Sequence, residues 1–381
     1  MKKNTHFDPS QTNGLEHQAE YFSRRSFLKT VGIGTAATVL PISPVFAVVE
    51  KVTSYVNPTP AEKLILPGAV STAKAIPTAT GQIFPEQMGI TSVHEHIVMP
   101  TDPMQREKSF AFAVSELKKA KALGLNTIMD VGPPDEAKGI KEVSEASGVN
   151  VVCCTGFYLL KDEQQTMSVD DFENHMRREV EEGIQGTQIR PGVIKLSTRR
   201  LPITDAEKNL LIAGARIQKR YGLTICTHAV SGCAEQQQIL ERAGADLKHC
   251  YFSHVEATFG WGGRTVEQEI EYLQTVVEKG SSLSFNNFGN WNHTKPTDLA
   301  SIILELTKRG YDDRMVATID LTWTFANGNI KILWGDTNEE GDDRTYSYPL
   351  RKVVPWMKEK GLSKETIDKF MIDNPRRLFT W

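Results

Sequence analysis

Two histidines stand one residue apart in Val93-His94-Glu95-His96, within an otherwise apolar, β-branched stretch. In a strand that spacing puts both imidazoles on one face, about 7 Å apart along it. Neutral imidazoles converging from one strand make half of a metal site, the competing reading being a polar edge facing solvent. Lys195 sits in Gly192-Val-Ile-Lys-Leu, where a charged side chain is costly unless it is paired or has lost its charge. An ammonium cannot bind a metal. Addition of CO2 would turn it into a carbamate, an anionic two-oxygen ligand able to bridge two cations. On this strand alone the simpler reading is a structural Lys paired with a carboxylate such as Asp130. His228, His254 and Asp320 each end an apolar run: Ile225-Cys-Thr-His228, Phe252-Ser-His254 and Val316-Ala-Thr-Ile-Asp320. Any one of them could be a satisfied core residue; four imidazoles and two potential anions together are hard to explain as packing. The donor set is rich in N and O and holds no thiolate, which suits Zn, Mn or Co. So many ligands suffice for two ions about 3.5–4 Å apart.

The remaining histidines carry less. His6 and His17 lie in the N-terminal segment, His175 falls within a helical stretch, and His249 starts a strand away from the others. His293 lies in the loop Asn287–Pro296, at the end of the chain's strands where a site would form. The cysteines number five, an odd count, with Cys153 and Cys154 adjacent on a strand. That reads as buried free thiols rather than a disulfide framework.

These groups need a frame that brings strand ends together. From residue 80 short β-branched runs alternate with helical stretches. The runs are Thr91–Val98, Asn126–Val131, Val149–Phe157, Gly192–Ser197, Leu223–His228, His249–Val255, Ser282–Asn286 and Met315–Leu321. Amphipathic segments at Asp170–Glu182, Asp205–Tyr221, Thr265–Lys279 and Thr297–Arg309 separate several of them, and the start at Asp205 reads as capped by that Asp. Alternation of this kind implies parallel pairing and right-handed crossovers. A (β/α)8 barrel, a TIM barrel, needs about 250 residues, so residues 81–381 fit one such α/β domain. An open doubly wound sheet would want a Gly-rich first turn, and Val98-Met-Pro-Thr-Asp is not one. In a barrel the strand termini meet at the C-terminal mouth, where sites of this fold lie. The polar segment Asn327–Tyr346 is long for a barrel loop, and such loops commonly serve a site.

The 381 residues are 40% hydrophobic and 24% charged, the range of an ordinary globular chain. Residues 1–47 read as a twin-arginine-type export signal. Arg24-Arg25-Ser-Phe-Leu-Lys is followed by an uncharged Gly- and Ala-rich stretch ending in Val45-Phe46-Ala47. Its removal takes away five basic and three acidic residues and moves the formal charge from −3 to −5, so nothing points to nucleic acid. The expected location is periplasmic or exported, with no membrane association after cleavage. Residues 48–80, with several Pro and Thr, read as a lead-in.

The motifs, taken in order, resemble the phosphotriesterase family of the amidohydrolase superfamily over residues 82–380. Met88-Gly-Ile-Thr-Ser-Val-His94-Glu-His96-Ile is similar to that family's first-strand metal motif, and Thr155-Gly-Phe-Tyr158 to the end of its third strand. Gly192-Val-Ile-Lys195 resembles its carbamylated-lysine strand, Thr227-His228 and Ser253-His254 its later histidines, and Asp320 its last-strand aspartate. Tyr348-Pro-Leu-Arg-Lys-Val-Val-Pro and Asn374-Pro-Arg-Arg-Leu-Phe resemble its C-terminal segment. The resemblance implies that His94, His96 and Asp320 hold a buried ion and His228 and His254 a more exposed one. It implies a carbamate on Lys195 bridging two divalent ions, a shared hydroxide as nucleophile, and Asp320 as proton acceptor. Tyr158 would orient a carbonyl-bearing substrate, as in lactone-hydrolysing members. The implied activity is hydrolysis of a small ester, lactone or organophosphate triester, in a chain expected to be a homodimer. The alternatives are a mononuclear amidohydrolase or deaminase with Lys195 unmodified, and a non-catalytic ligand-binding barrel. Two stretches depart from the family: Val-Glu256-Ala-Thr after His254, where an Asp is usual close behind the His, and Leu-Thr-Trp323-Thr-Phe325-Ala-Asn-Gly after Asp320.

Overall fold

Each apolar run of the sequence pairs in parallel with the next, and the helical stretch between them supplies the crossover. The computed structural model describes residues 73–381 apart from 133–135, 231, 292–293 and 334–342. The signal-like segment 1–47, most of the lead-in and His293 therefore lie outside the described residues. Eight strands stand in chain order: β1 Ile90–Glu95, β2 Leu125–Asp130, β3 Asn150–Gly156, β4 Val193–Ser197, β5 Thr224–His228, β6 Cys250–Ser253, β7 Ser282–Phe285 and β8 Met315–Ala317. Every neighbouring pair is parallel. The seam between β8 and β1 is drawn together just beyond the last strand. There the Asp320 N–H donates to the His94 carbonyl at 3.1 Å and the His96 N–H to the Leu321 carbonyl at 3.1 Å. The result is a (β/α)8 barrel.

Among the described residues eight helices lie between the strands, α1 Pro103–Ala122, α2 Ala137–Ser147, α3 Val169–Glu182, α4 Asp205–Tyr221, α5 Cys233–Arg242, α6 Val255–Gly262, α7 Val266–Glu278 and α8 Pro296–Lys308, and three short ones follow β8, α9 Val354–Glu359, α10 Lys364–Asp368 and α11 Asn374–Phe379. Strand parity decides what faces where. Cys153, Ile194, Ile225 and Phe252 pack in the large core under the helices. Their neighbours Cys154, Val193, Cys226 and Tyr251 fill a second cluster with Val152 and Val316, to which Met88, Leu378 and Phe379 belong. The chain end is tied to the strand starts: Thr224 Oγ1 donates to the Leu378 carbonyl at 2.7 Å and Asn374 Nδ2 to the Met315 carbonyl at 2.7 Å. Lys195, His228 and Ser253 share the parity of the inner cluster, so the strands that build the core also aim these groups inwards.

Three local expectations change. The cap of α4 is Thr204, whose hydroxyl accepts from the Glu207 N–H while the Glu207 carboxylate accepts from the Thr204 N–H, so Asp205 is already inside the helix. The lead-in is partly built into the fold: Ile76–Thr78 pairs antiparallel with Gly81–Ile83, and the Ala79 N–H donates to the Val151 carbonyl at 2.8 Å. The segment after Asp320 is partly a hairpin, Trp323–Ala326 against Asn329–Ile332, turning through Asn327 and Gly328 with φ of 50° and 74°. Trp323 packs away from solvent on Phe112 of α1, with ring centroids 5.0 Å apart, and its indole N–H donates to Ser109. The five cysteines are buried free thiols.

Candidate metal centre

The first strand supplies His94 and His96, and their surroundings explain how the strand can hold them. Glu95, buried between them, accepts from Ser92 and Thr318 and from the backbone N–H of Leu321 at 2.7 Å, so it clamps the barrel seam. Burial pushes its carboxyl up, and the hydrogen bonds pull it back. His96 has room because residue 132 is glycine: a Cβ there would stand 2.8 Å from His96 Nδ1. Gly156 does the same service at the end of β3. It has a φ of +112°, and a Cβ would stand 2.0 Å from the Lys195 carbonyl oxygen, which accepts instead from the Phe157 N–H at 2.9 Å. The chain thereby turns over the mouth and sets Tyr158 edge-on to His228, ring centroids 5.1 Å apart.

All six residues singled out as metal candidates come together. His94 Nε2 lies 3.2 Å from Lys195 Nζ and 3.3 Å from Asp320 Oδ1. His96 Nε2 lies 2.8 Å from the same Asp320 oxygen, and His254 Nε2 lies 3.8 Å from Asp320 Oδ2. The His254 ring is 5.1 Å from that of His94 and 4.4 Å from that of His228. His254 and Asp320 both follow a strand in left-handed backbone conformation, φ 62° and 55°. Such strain in non-glycine residues clusters at functional sites. Lys195 is fully buried; its close polar neighbours are His94 and, at 3.9 Å, Cys226 Sγ, not a carboxylate. Asp130 instead accepts from the N–H groups of Ile97 and Gly132. The simpler reading of β4, a structural Lys–Asp130 pair, is thus not what the fold builds.

Burial holds His94 and His228 well below the usual imidazole range, with the Lys195 charge adding to the effect on both and the neighbouring His254 acting on His228. Burial likewise pushes His254 down to about 4. All three are therefore neutral, the form that ligates. Burial would raise Asp320, but the facing His94, with hydrogen bonds from His94 and His96, brings it well below the carboxylate range. Burial raises the Tyr158 phenol.

These residues fit a divalent ion. One ligand atom each from His94, His96 and Asp320 lies within 4.8 Å of the others. The buried His228 Nδ1 has no hydrogen-bond partner, as a nitrogen kept for a cation would.

Several supporting residues escaped the sequence reading. Asn286 Oδ1 accepts from the His254 N–H at 2.6 Å, and its Nδ2 lies 3.0 Å from the ring nitrogen Nδ1. Glu256 does not reach His254; it accepts from the backbone N–H groups of Asn286 and Asn287. Arg344, fully buried, donates to the carbonyls of Phe288, Asn286 and Ile319, and Tyr346 donates to the His96 carbonyl at 2.6 Å. The long segment after β8 thus serves the site by bracing it. Only a buried Arg far from any motif could have signalled this, and nothing in the sequence marks Arg344 as buried. Of the other histidines, His249 stacks on Trp381, centroids 3.8 Å apart, and His175 packs on Phe157.

A (β/α)8 barrel with imidazoles and a carboxylate gathered at its C-terminal mouth has the architecture of a metal-dependent hydrolase. The chain belongs to the phosphotriesterase family, whose sequence profile matches residues 74–379. It is 27% identical over 330 residues to the phosphotriesterase homology protein of Mycobacterium tuberculosis, spanning 79% of this chain and 96% of that one. It is 25% identical over 318 residues to the aryldialkylphosphatase of Saccharolobus solfataricus, spanning 77% and 96%. In fold it is similar to the organophosphorus hydrolase from Deinococcus radiodurans, with a TM-score of 0.69 at 24% identity over 80% of this chain and 96% of that one.

Proposed function

We propose that the chain is a binuclear metal-dependent hydrolase acting on ester bonds of small molecules: a carboxylic ester, a lactone or an organophosphate triester. The observation that carries this reading is the convergence of His94, His96, Lys195, His228, His254 and Asp320 on one rim. His94, His96 and Asp320 would hold the buried ion and His228 and His254 the more exposed one. Lys195, as its CO2 adduct, would bridge them. That adduct joins the amine nitrogen to the carbon of CO2 and releases one proton, giving an anionic ligand where a buried base has no carboxylate partner. Two divalent cations, Zn or else Mn or Co on this donor set, supply a lowered water pKa and polarisation of the substrate oxygen.

The chain's own groups do the rest. His96 and His94 engage Asp320 Oδ1, leaving Oδ2 to accept the proton of the attacking nucleophile. Tyr158, whose phenol is raised and keeps its proton, donates to the substrate oxygen beside His228. The family and the aryldialkylphosphatase relative support an ester-type substrate. The test is metal analysis of purified protein, then a panel of esters, lactones and phosphotriesters with and without chelator. Two ions per chain and chelator-sensitive turnover are expected; turnover unaffected by complete demetallation would overturn the reading. One ion per chain without bicarbonate dependence would favour the mononuclear alternative.

We also infer export through the twin-arginine-type segment 1–47 and a homodimeric state, supported by the Arg24-Arg25 pattern and by the family respectively. Cell fractionation with N-terminal sequencing, and light scattering, check them.

A further inference from the structure

The four imidazoles of the site are not held alike. His94 Nδ1 lies 2.7 Å from Ser253 Oγ, His96 Nε2 lies 2.8 Å from Asp320 Oδ1, and His254 Nδ1 lies 3.0 Å from Asn286 Nδ2. Among the described residues no side chain does this for the His228 ring, which meets Tyr158 and His254 edge-on and has a buried Nδ1 without a partner. Its aim is therefore set by its own backbone and by whatever grips that backbone.

The peptide between His228 and Ala229 is gripped on both sides. Towards β6, the Ala229 N–H donates to the Ser253 carbonyl at 3.1 Å. Towards β4, the His228 carbonyl accepts from the Thr198 N–H at 3.3 Å, one residue past the last β4–β5 pair, Ser197 with His228. The same carbonyl accepts from Gln236 Nε2 at 2.9 Å, and that nitrogen also donates to Thr198 Oγ1 at 2.7 Å. Gln236 is fully buried and comes from α5. A carbonyl only accepts, so the amide nitrogen of Gln236, not its oxygen, faces His228. Its two hydrogens then serve the His228 carbonyl and the Thr198 hydroxyl, and one side chain ties the ends of β4 and β5 together.

The next residue supplies a built-in comparison. Gln237 is also buried, and its Nε2 donates to the Val276 carbonyl and to Ser281 Oγ, both at 2.8 Å. Two adjacent glutamines thus make the same pair of bonds. One pair goes into a strand end that carries a metal candidate; the other goes into α7 and the turn before β7.

We infer that Gln236 is the positioning residue of His228, fixing the backbone from which that imidazole reaches the more exposed ion. Outer partners of metal ligands orient them in this manner. The consequence for metal rests on the proposed function above; the grip on the backbone can be measured without metal.

The experiment uses the full chain and two readouts. Zn uptake by the stripped protein is titrated against a chromogenic chelator, which separates a tighter from a weaker step. Deuterium uptake of the metal-free protein is followed at the amides of Thr198 and Ala229. Gln236→Met, which keeps the length and loses both donors, should weaken the weaker Zn step by about 10–100-fold and leave the tighter one at its parental value. It should also speed exchange at Thr198 and Ala229 by up to about tenfold. Gln237→Met loses an equivalent pair of bonds and should lower Tm comparably, yet keep parental Zn steps and parental exchange at those two amides. Equal weakening of Zn binding by both variants would overturn the inference, as would a folded Gln236→Met with parental Zn binding and exchange. Should Gln236→Met fail to fold, Thr198→Val removes one of the two acceptors and should show both effects in smaller size; parental values there would equally overturn it. A parent that takes up fewer than two Zn ions would end the binuclear reading, and exchange at Thr198 and Ala229 would then decide the role of Gln236.

Discussion

Lys195 and Asp320 are the two side chains whose chemistry the proposed activity cannot do without. Lys195 is wholly buried beside an imidazole and a thiol, with no carboxylate in direct ion-pair contact. Lys195→Ala should lose bound metal, measured by elemental analysis, and lose turnover with it. Acetate or propionate at millimolar concentration should restore part of both, since a short acid can fill the space and supply the missing oxygens. Asp320→Asn keeps the shape but loses the proton acceptor. It should lower kcat by roughly 10²–10⁴-fold, read on whichever ester or lactone the parent hydrolyses; an unchanged kcat would remove Asp320 from the chemistry. At this scale the sequence was legible wherever a polar residue ended an apolar run. It was silent on Asn286 and Arg344, whose importance depends on neighbours 25 or more residues away in the chain.

At the scale of elements, strand ends and turns aim those side chains. Gly156 is the clearest case, because both its backbone conformation and the nearby Lys195 carbonyl exclude a Cβ. Gly156→Ala should cost about 1–3 kcal/mol in urea denaturation. Gly186→Ala, with φ +72° and open space around it, serves as the control and should cost less. The eight strands were readable as β-branched runs, but their ends were read too long. The run Met315–Leu321 is strand only as far as Ala317, because Thr318 and the residues after it turn to bond with β1 and Glu95. The hairpin at Trp323–Ile332 was missed although Asn327-Gly328 is a strong two-residue turn signal between alternating residues. Thr204 was missed as a cap because Asp205 beside it is an equally good capping type, and only the placement of Glu207 discriminates.

For the whole molecule, closure of the barrel makes separate strand ends into one site, so occupancy of the site and stability of the barrel are linked. An ion that binds the folded chain and not the unfolded one stabilises by about 2.7 kcal/mol at one hundred times its dissociation constant. For a domain of about 300 residues that is a rise in Tm of roughly 4 °C. Stripping with chelator and adding back Zn should move Tm down and up by that amount in a scanning calorimeter, and a Tm indifferent to metal would count against resident ions. Alternation of runs and helices made the fold class legible without any motif, since eight parallel β-branched runs with crossovers have few other solutions. The closing seam was not legible, because it is made by Asp320 and Leu321 outside the regular strands.

The central claim, that two divalent ions are held through a CO2-adducted Lys195, is tested most directly by anomalous diffraction at the metal edge. The crystals would be of metal-loaded protein grown with bicarbonate. Two peaks about 3.5–4 Å apart are predicted among His94, His96, His228, His254 and Asp320, with carboxylate density continuous from Lys195 Nζ between them. Fully loaded crystals with no peak at these side chains, or with a bare Lys195 amine beside a single ion, would contradict it.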